Sequence, residues 1–145
     1  MKTPSKTVFP QRLEVPSWLR AHGIFPTRQR VQVAEALLCR PQHLTADQLL
    51  QRVNAEHPSV SRATIYNTLG AFVRAGLVRV VSIDGGTVCY DSSVHHHAHV
   101  YHEDTGEVVD ADIDLLKLAH GIPLPESVEI VDADFVVRVR SKTPD

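Results

Sequence analysis

Five histidines fall within eight positions of the run VHHHAHVYH: His95, His96, His97, His99 and His102. Neutral imidazole is the commonest side-chain ligand of transition metals. In an extended segment, residues two apart share a face and lie roughly 6.5 Å apart along the strand, so His97 and His99 point one way while His96 and Ala98 point the other. Two imidazoles on one face converge on one ion only if other chain segments bring further ligands. A carboxylate stands on each side of the run, at Asp91 and Asp110. Imidazole nitrogen combined with carboxylate oxygen suits Fe(II), Mn(II), Zn(II) or Co(II) better than calcium or a thiolate-bound metal. The His-x-His spacing alone is common on solvated loops; the flanking aspartates make it a candidate metal site.

Those side chains need elements to hold them. Residues 1 to 15 contain Pro4 and Pro10 with little periodicity and read as an N-terminal arm. A short helix is expected over PSWLRAHG, from near Pro16 to Gly23. A second, RQRVQVAEALLCR, has Thr27 as N-cap, Val31, Ala34, Leu37 and Leu38 at the spacing of a buried stripe, and Pro41 to end it. The third opens at TADQ, where Thr45 and Gln48 form a capping box, and runs through Leu49, Leu50 and Val53 toward Pro58. Ser59 or Ser61 caps a fourth, from about Ser61 to Ala75. Its inward face is Ile65, Leu69, Phe72 and Val73, and its early outward positions are Arg62, Thr64, Tyr66, Asn67 and Thr68. VRVVSI and TVCYD, on either side of Asp84-Gly85-Gly86, predict a β-hairpin. This order is that of a winged helix-turn-helix, with the fourth helix in a major groove and the hairpin along the backbone.

Beyond Asp110, DADIDLLKLAHG predicts a short helix ending at Gly121, and ESVEIVDADFVVRVR predicts two strands with a turn near Asp132. That hairpin and the histidine-bearing strand make a three-stranded sheet with one helix, too little core to stand alone. Pairing with a second copy completes it, so a homodimer is expected, presenting two recognition helices to a pseudo-palindromic operator in double-stranded DNA. The fold class is therefore α+β: an arm over 1–15, a winged-helix DNA-binding domain with hinge over 16–91, and a small α/β dimerisation and metal-sensing domain over 92–145.

Charge follows the same division. Residues 1 to 80 hold eleven Lys or Arg against four acidic residues, and residues 81 to 145 hold four against thirteen. A basic first half beside an acidic second half is the asymmetry expected when one part meets a polyanion. The two cysteines, Cys39 and Cys89, lie in no C-x-x-C pair, which argues against a disulfide framework and a cysteine-based structural zinc site and for a reducing compartment. No stretch approaches the ~18 apolar residues of a membrane span, and MKTPSKTVFPQR lacks a signal-peptide core, so a cytoplasmic protein without membrane association is expected.

Four stretches, in order, resemble the ferric uptake regulator family of metal-dependent bacterial repressors: TRQR at 27–30, HLTADQL at 43–49, SRATIYNTL at 61–69, and DSSVHHHAH followed by GEVVD. Carried over position by position, the resemblance puts a regulatory site for one divalent metal per subunit on His43, Asp91, His97, His99 and Asp110. It implies Fe(II) or Mn(II), with Zn(II) able to substitute in vitro. The DNA-contacting set it implies is Arg28, Arg30, Ser61, Arg62, Thr64, Tyr66 and Asn67. The aspartates at 91 and 110 and the pair Tyr66-Asn67 lean toward the peroxide-responsive type.

Departures from the family pattern carry their own implications. His102-Glu103-Asp104-Thr105 stands where most members have a first C-x-x-C, and the second pair is absent from VVRVRSKTPD, so the cysteine-held structural zinc is expected to be missing. Ala98 occupies a ligand position of the family's additional sensory site and Ser127 stands where a histidine is usual, so the resemblance implies that this second site is degraded. The histidine run with EDTGEVVD resembles the iron response regulator branch, which implies haem on His95, His96 and His97 as an alternative, or a second metal site at His95 and His96. The function implied is a repressor controlling iron homeostasis or the peroxide response, not an enzyme. A non-haem iron oxygenase using His97, His99 and an aspartate would need an open coordination position, and a metal buffer would leave the polar-faced helix without purpose.

Overall fold

The computed structural model describes residues 7–94, 97–131 and 133–142, without the side chain of Leu116. The chain divides into two compact units, Met1–His95 and His96–Asp145.

In the first unit a 3-10 turn at Arg12–Glu14 leads into α1, Val15–Ala21. Helix α2, Arg28–Leu37, starts where Thr27 Oγ1 accepts from the Arg30 amide. It ends three residues short of the predicted Arg40, because the Gln42 side-chain amide donates to the Ala36 and Leu37 carbonyls and closes the helix there. Strand β1, His43–Leu44, precedes α3, Ala46–Val53, which carries the expected reciprocal Thr45–Gln48 capping box. Rather than continuing to Pro58, α3 stops at Asn54, whose side-chain Oδ1 accepts from the Ser59 and Val60 amides and forms the turn into the next helix. Helix α4, Arg62–Arg74, is capped by Ser61.

Ile65, Leu69 and Phe72 on α4 meet Val33, Ala34 and Leu37 of α2 and Leu49 of α3 in one buried cluster. Thr68 belongs to this side as well. It is 2 % exposed, contrary to its expected outward position, because it lies three residues after Ile65 and four before Phe72. Strands β2, Arg79–Asp84, and β3, Thr87–Asp91, form the predicted wing. Its turn requires Gly85 and Gly86, at φ +40° and +121°. All pairing is antiparallel in the order β1-β3-β2.

The second unit is a three-stranded sheet of different membership from the one expected. Strand β4, Ala98–His102, is central, with β5, Val108–Ala111, antiparallel on one side and β6, Val136–Val139, parallel on the other. The predicted C-terminal hairpin does not form: among the described residues of 126–135 there is no strand, and the Val128 amide turns back to the Pro125 carbonyl. GEVVD takes that place because Gly106, at φ +72°, donates its amide to the His102 carbonyl and folds the chain into a β4–β5 hairpin. The turn expected near Asp132 centres on a residue outside the described ones. Helix α5, Leu115–His120, is capped by Asp114 and ends at Gly121. Among the described residues, no helix is long and apolar enough to cross a membrane.

Candidate metal centre and nucleic-acid face

Each unit gathers its own set of donors. In the first, antiparallel pairing sets His43 directly opposite Asp91. Opposed residues in such a ladder project to the same face, and His43 Nε2 lies 3.3 Å from Asp91 Oδ2. Asp91 is fully buried, and its other oxygen accepts from the Ser93 amide at 2.8 Å. One oxygen of the carboxylate thus fixes its orientation through the backbone while the second faces imidazole.

In the second unit, the register His99↔Asp110 places a carboxylate beside the histidine strand. Asp110 Oδ1 is 2.8 Å from His97 Nε2 and 3.8 Å from His99 Nε2. The two imidazoles are 4.4 Å apart between ring centres and inclined at 56°. His99 is fully buried and His97 nearly so. His97 immediately precedes β4 and His99 lies on it, and their rings share a face, as the spacing predicted.

Tested against a divalent transition metal, the donors fit. Each of the five residues offers one imidazole nitrogen or carboxylate oxygen, a set suited to Fe(II), Mn(II) or Zn(II). Asp91, His97 and His99 are buried, His43 is nearly so and Asp110 is half-exposed, and burial of such groups is favourable only when charge is matched by a partner or an ion. Neither cysteine joins a donor set. Burial pushes the Cys89 thiol up to about 11, with the nearby Asp91 charge adding to it, and burial also raises Cys39. His95 and His96, on which the haem and second-metal readings depend, lie outside the described residues.

The nucleic-acid set lies on the first unit. Tyr66 and Asn67 are exposed on the first two turns of α4, as are Ser61 and Arg62 at its start. Ser61 Oγ and Thr64 Oγ1 are 2.9 Å apart, so these hydroxyls also build the cap. Arg28 is exposed at the start of α2, whereas Arg30 turns back to donate to the Phe25 carbonyl at 3.1 Å. Sequence reasoning missed Asp47. It sits on α3 and pairs with Arg62, and its hydrogen bond and charge together raise the Arg62 pKa, with a smaller contribution from Tyr66. No local pattern marks a pair fifteen residues apart.

Known proteins agree with this architecture. The chain is 36 % identical to the peroxide-responsive repressor PerR of Staphylococcus saprophyticus over 92 residues, 63 % of this chain and 62 % of that repressor. The alignment thus spans less than two thirds of the relative's length. The ferric uptake regulator of Pseudomonas aeruginosa, solved with manganese, is 32 % identical, covering 89 % of this chain and 98 % of that one with a TM-score of 0.66. That of Vibrio cholerae is 25 % identical over 87 % and 98 % of the two chains, with a TM-score of 0.70. The haem reading gains no support from these relatives. The sequence profile of the ferric uptake regulator family matches residues 21–137, and the chain belongs to that family, whose members are transcription regulators and not enzymes.

Proposed function

We propose that this chain is a cytoplasmic, metal-dependent repressor that binds a pseudo-palindromic operator as a homodimer and controls the peroxide response or iron homeostasis. The observation that carries this reading is the division of nitrogen and oxygen donors between the units: His43 with Asp91 in one, His97 and His99 with Asp110 in the other. One divalent ion per subunit, Fe(II) or Mn(II), with Zn(II) substituting in vitro, is held by these five residues. When bound, it supplies positive charge that both sets satisfy, and iron also supplies a redox centre for peroxide.

The chain's own groups determine what loading requires. His97 Nε2 and Asp110 Oδ1 lie 2.8 Å apart, and an imidazole nitrogen binds metal only without its proton, so protons compete with the ion for this pair. Binding therefore releases protons, and affinity falls as the pH is lowered. A shared ion would tie the winged-helix unit to the second unit and hold two recognition helices at one separation in the dimer. On the DNA side, Asn67 reads a base edge, Arg28 and Arg30 meet phosphate, and Tyr66 adds a polar contact. The PerR relative and the Tyr66-Asn67 pair favour the peroxide-responsive branch, and the manganese-bound relative from Pseudomonas aeruginosa supports that metal.

A gel shift on the gene's own promoter, run metal-free and with Fe(II), Mn(II) or haem, tests the reading. A retarded band with Fe(II) or Mn(II), lost with chelator and absent on random DNA, is the expected result. Equal binding without metal would overturn it, and a response to haem alone would give the function to His95–His97 instead.

A further inference from the structure

Strand β1 is only two residues long, yet it determines where His43 stands. So short a ladder is marginal by itself, and the loop before it is held instead by Ser92. The Ser92 amide donates to the Gln42 carbonyl at 3.1 Å. Its hydroxyl donates to the Arg40 carbonyl at 2.7 Å and accepts from the Gln42 amide at 3.0 Å. Ser92 is 2 % exposed, so a hydroxyl with one proton and two lone pairs is engaged on both counts away from water. Gln42 carries the connection onward. Its side-chain nitrogen donates to the Ala36 and Leu37 carbonyls at 2.7 and 2.9 Å, and its side-chain Oε1 accepts from the Arg52 guanidinium of α3. The last turn of α2, the last turn of α3 and the end of β3 are thus joined through two side chains, one adjacent in sequence to His43 and the other to Asp91.

We propose that Ser92 and Gln42 are positioning residues for the metal site. They hold His43 in the register that meets Asp91, so the first unit offers a preformed donor pair, and they link that pair to the two helices packed against the recognition helix. This inference rests on the metal-dependent reading above. Groups that orient ligands in this way typically govern ~10- to 100-fold in metal affinity.

The test uses the full chain as Ser92→Ala, Ser92→Thr and Gln42→Leu, with Mn(II) as the probe. In metal-free protein, amide hydrogen exchange at residues 42–44 reports the clip directly. Titration calorimetry then gives the Mn(II) affinity. Ser92→Ala and Gln42→Leu are expected to speed exchange at 42–44 and to weaken Mn(II) roughly 10- to 100-fold at unchanged stoichiometry. Ser92→Thr, which keeps the hydroxyl, is expected to restore both. Circular dichroism confirms the fold of each variant, and the threonine variant carries the test if alanine at 92 unfolds the chain: there a lost hydrogen-bond signature at 42–44 with wild-type Mn(II) affinity overturns the proposal. Exchange at 42–44 unchanged in a folded Ser92→Ala protein, or Mn(II) affinity within twofold of wild type, also overturns it. Wild-type protein that bound no Mn(II) would instead end the regulatory reading, while the exchange comparison would still decide the clip.

Discussion

The two units bury different kinds of side chain. The first has a continuous apolar cluster in which Leu19, Val33, Leu37, Leu49, Ile65, Leu69 and Phe72 are fully covered. In the second, only Ala98, Leu115 and Ala119 are buried hydrophobics among the described residues, and its covered interior includes His97 and His99. Its larger apolar residues face outward instead: Leu118, Ile122, Leu124, Val128 and Phe135 are all between 44 % and 57 % exposed. Half-exposed apolar residues grouped in one stretch of chain are the kind of surface that a partner can cover. One unit therefore has a core of its own, whereas the described residues of the other bury little apolar surface.

Replacing Leu118 and Ile122 together by aspartate is expected to have the largest effect. If a second copy covers that surface, the change costs roughly 3–6 kcal/mol per protomer, on the scale of ~1.5–3 kcal/mol for each large apolar side chain. Sedimentation velocity should show monomers, while the helical signal of the first unit persists. A variant that remained dimeric would place the interface elsewhere.

The proposed DNA-reading face lies on the first unit. Asn67→Ala is expected to weaken operator binding by ~1–3 kcal/mol and to relax base preference. Arg30→Ala should weaken operator and random DNA alike. Fluorescence anisotropy on both DNAs separates these outcomes, and equal losses for Asn67→Ala would remove it from base reading.

A smaller effect is expected at the cysteines, which lie only in the first unit. Cys39→Ser with Cys89→Ser should remain a folded dimer with unchanged metal stoichiometry. Its melting temperature should fall by a few degrees, because Cys89 is buried and its thiol behaves as an apolar group. Loss of a tightly bound zinc, read by elemental analysis, would show a thiolate site after all.

The smallest effect belongs to the second unit. The Ser141 amide, 2.7 Å from Asp104 Oδ2, holds the Asp104 carboxyl below the usual carboxylate range. A carboxyl with a lower pKa when folded than when unfolded stabilises the fold above its unfolded pKa, and this contribution is lost as pH falls through the folded value. Asp104 is solvent-exposed, so the effect is slight. Melting curves of wild type and Asp104→Asn should differ at pH 6 and converge in strong acid; a difference that grew in acid would contradict this.

What the sequence disclosed follows from the range of each signal. The caps at Thr27, Thr45 and Ser61, the apolar stripe of α4 and the Gly85-Gly86 turn are local, and each stands where its residues predicted. His97 and His99 were legible for the same reason, since strand alternation alone sets their common face. Strand β1, the Ser92–Gln42 clip and the Asp47–Arg62 pair depend on residues brought together over longer separations, which no local periodicity encodes. The sheet of the second unit shows the same limit. VEIV and GEVVD are similar in β-branched content, and the turn at Gly106 and the parallel pairing of β6 decided between them. His43 entered only through family resemblance, because a single histidine before a helix has no chemical signature.

His43 is the first unit's imidazole for the proposed shared ion. The most direct measurement is operator affinity of wild type and His43→Ala, each stripped of metal and saturated with Mn(II). Wild type should gain roughly 5- to 150-fold on loading, the usual range for a coupling of ~1–3 kcal/mol. His43→Ala should still bind Mn(II) at its remaining ligands, more weakly, with operator affinity unchanged by it. A variant that keeps the full wild-type ratio at saturation would show that metal acts on DNA binding without tying the two units through His43.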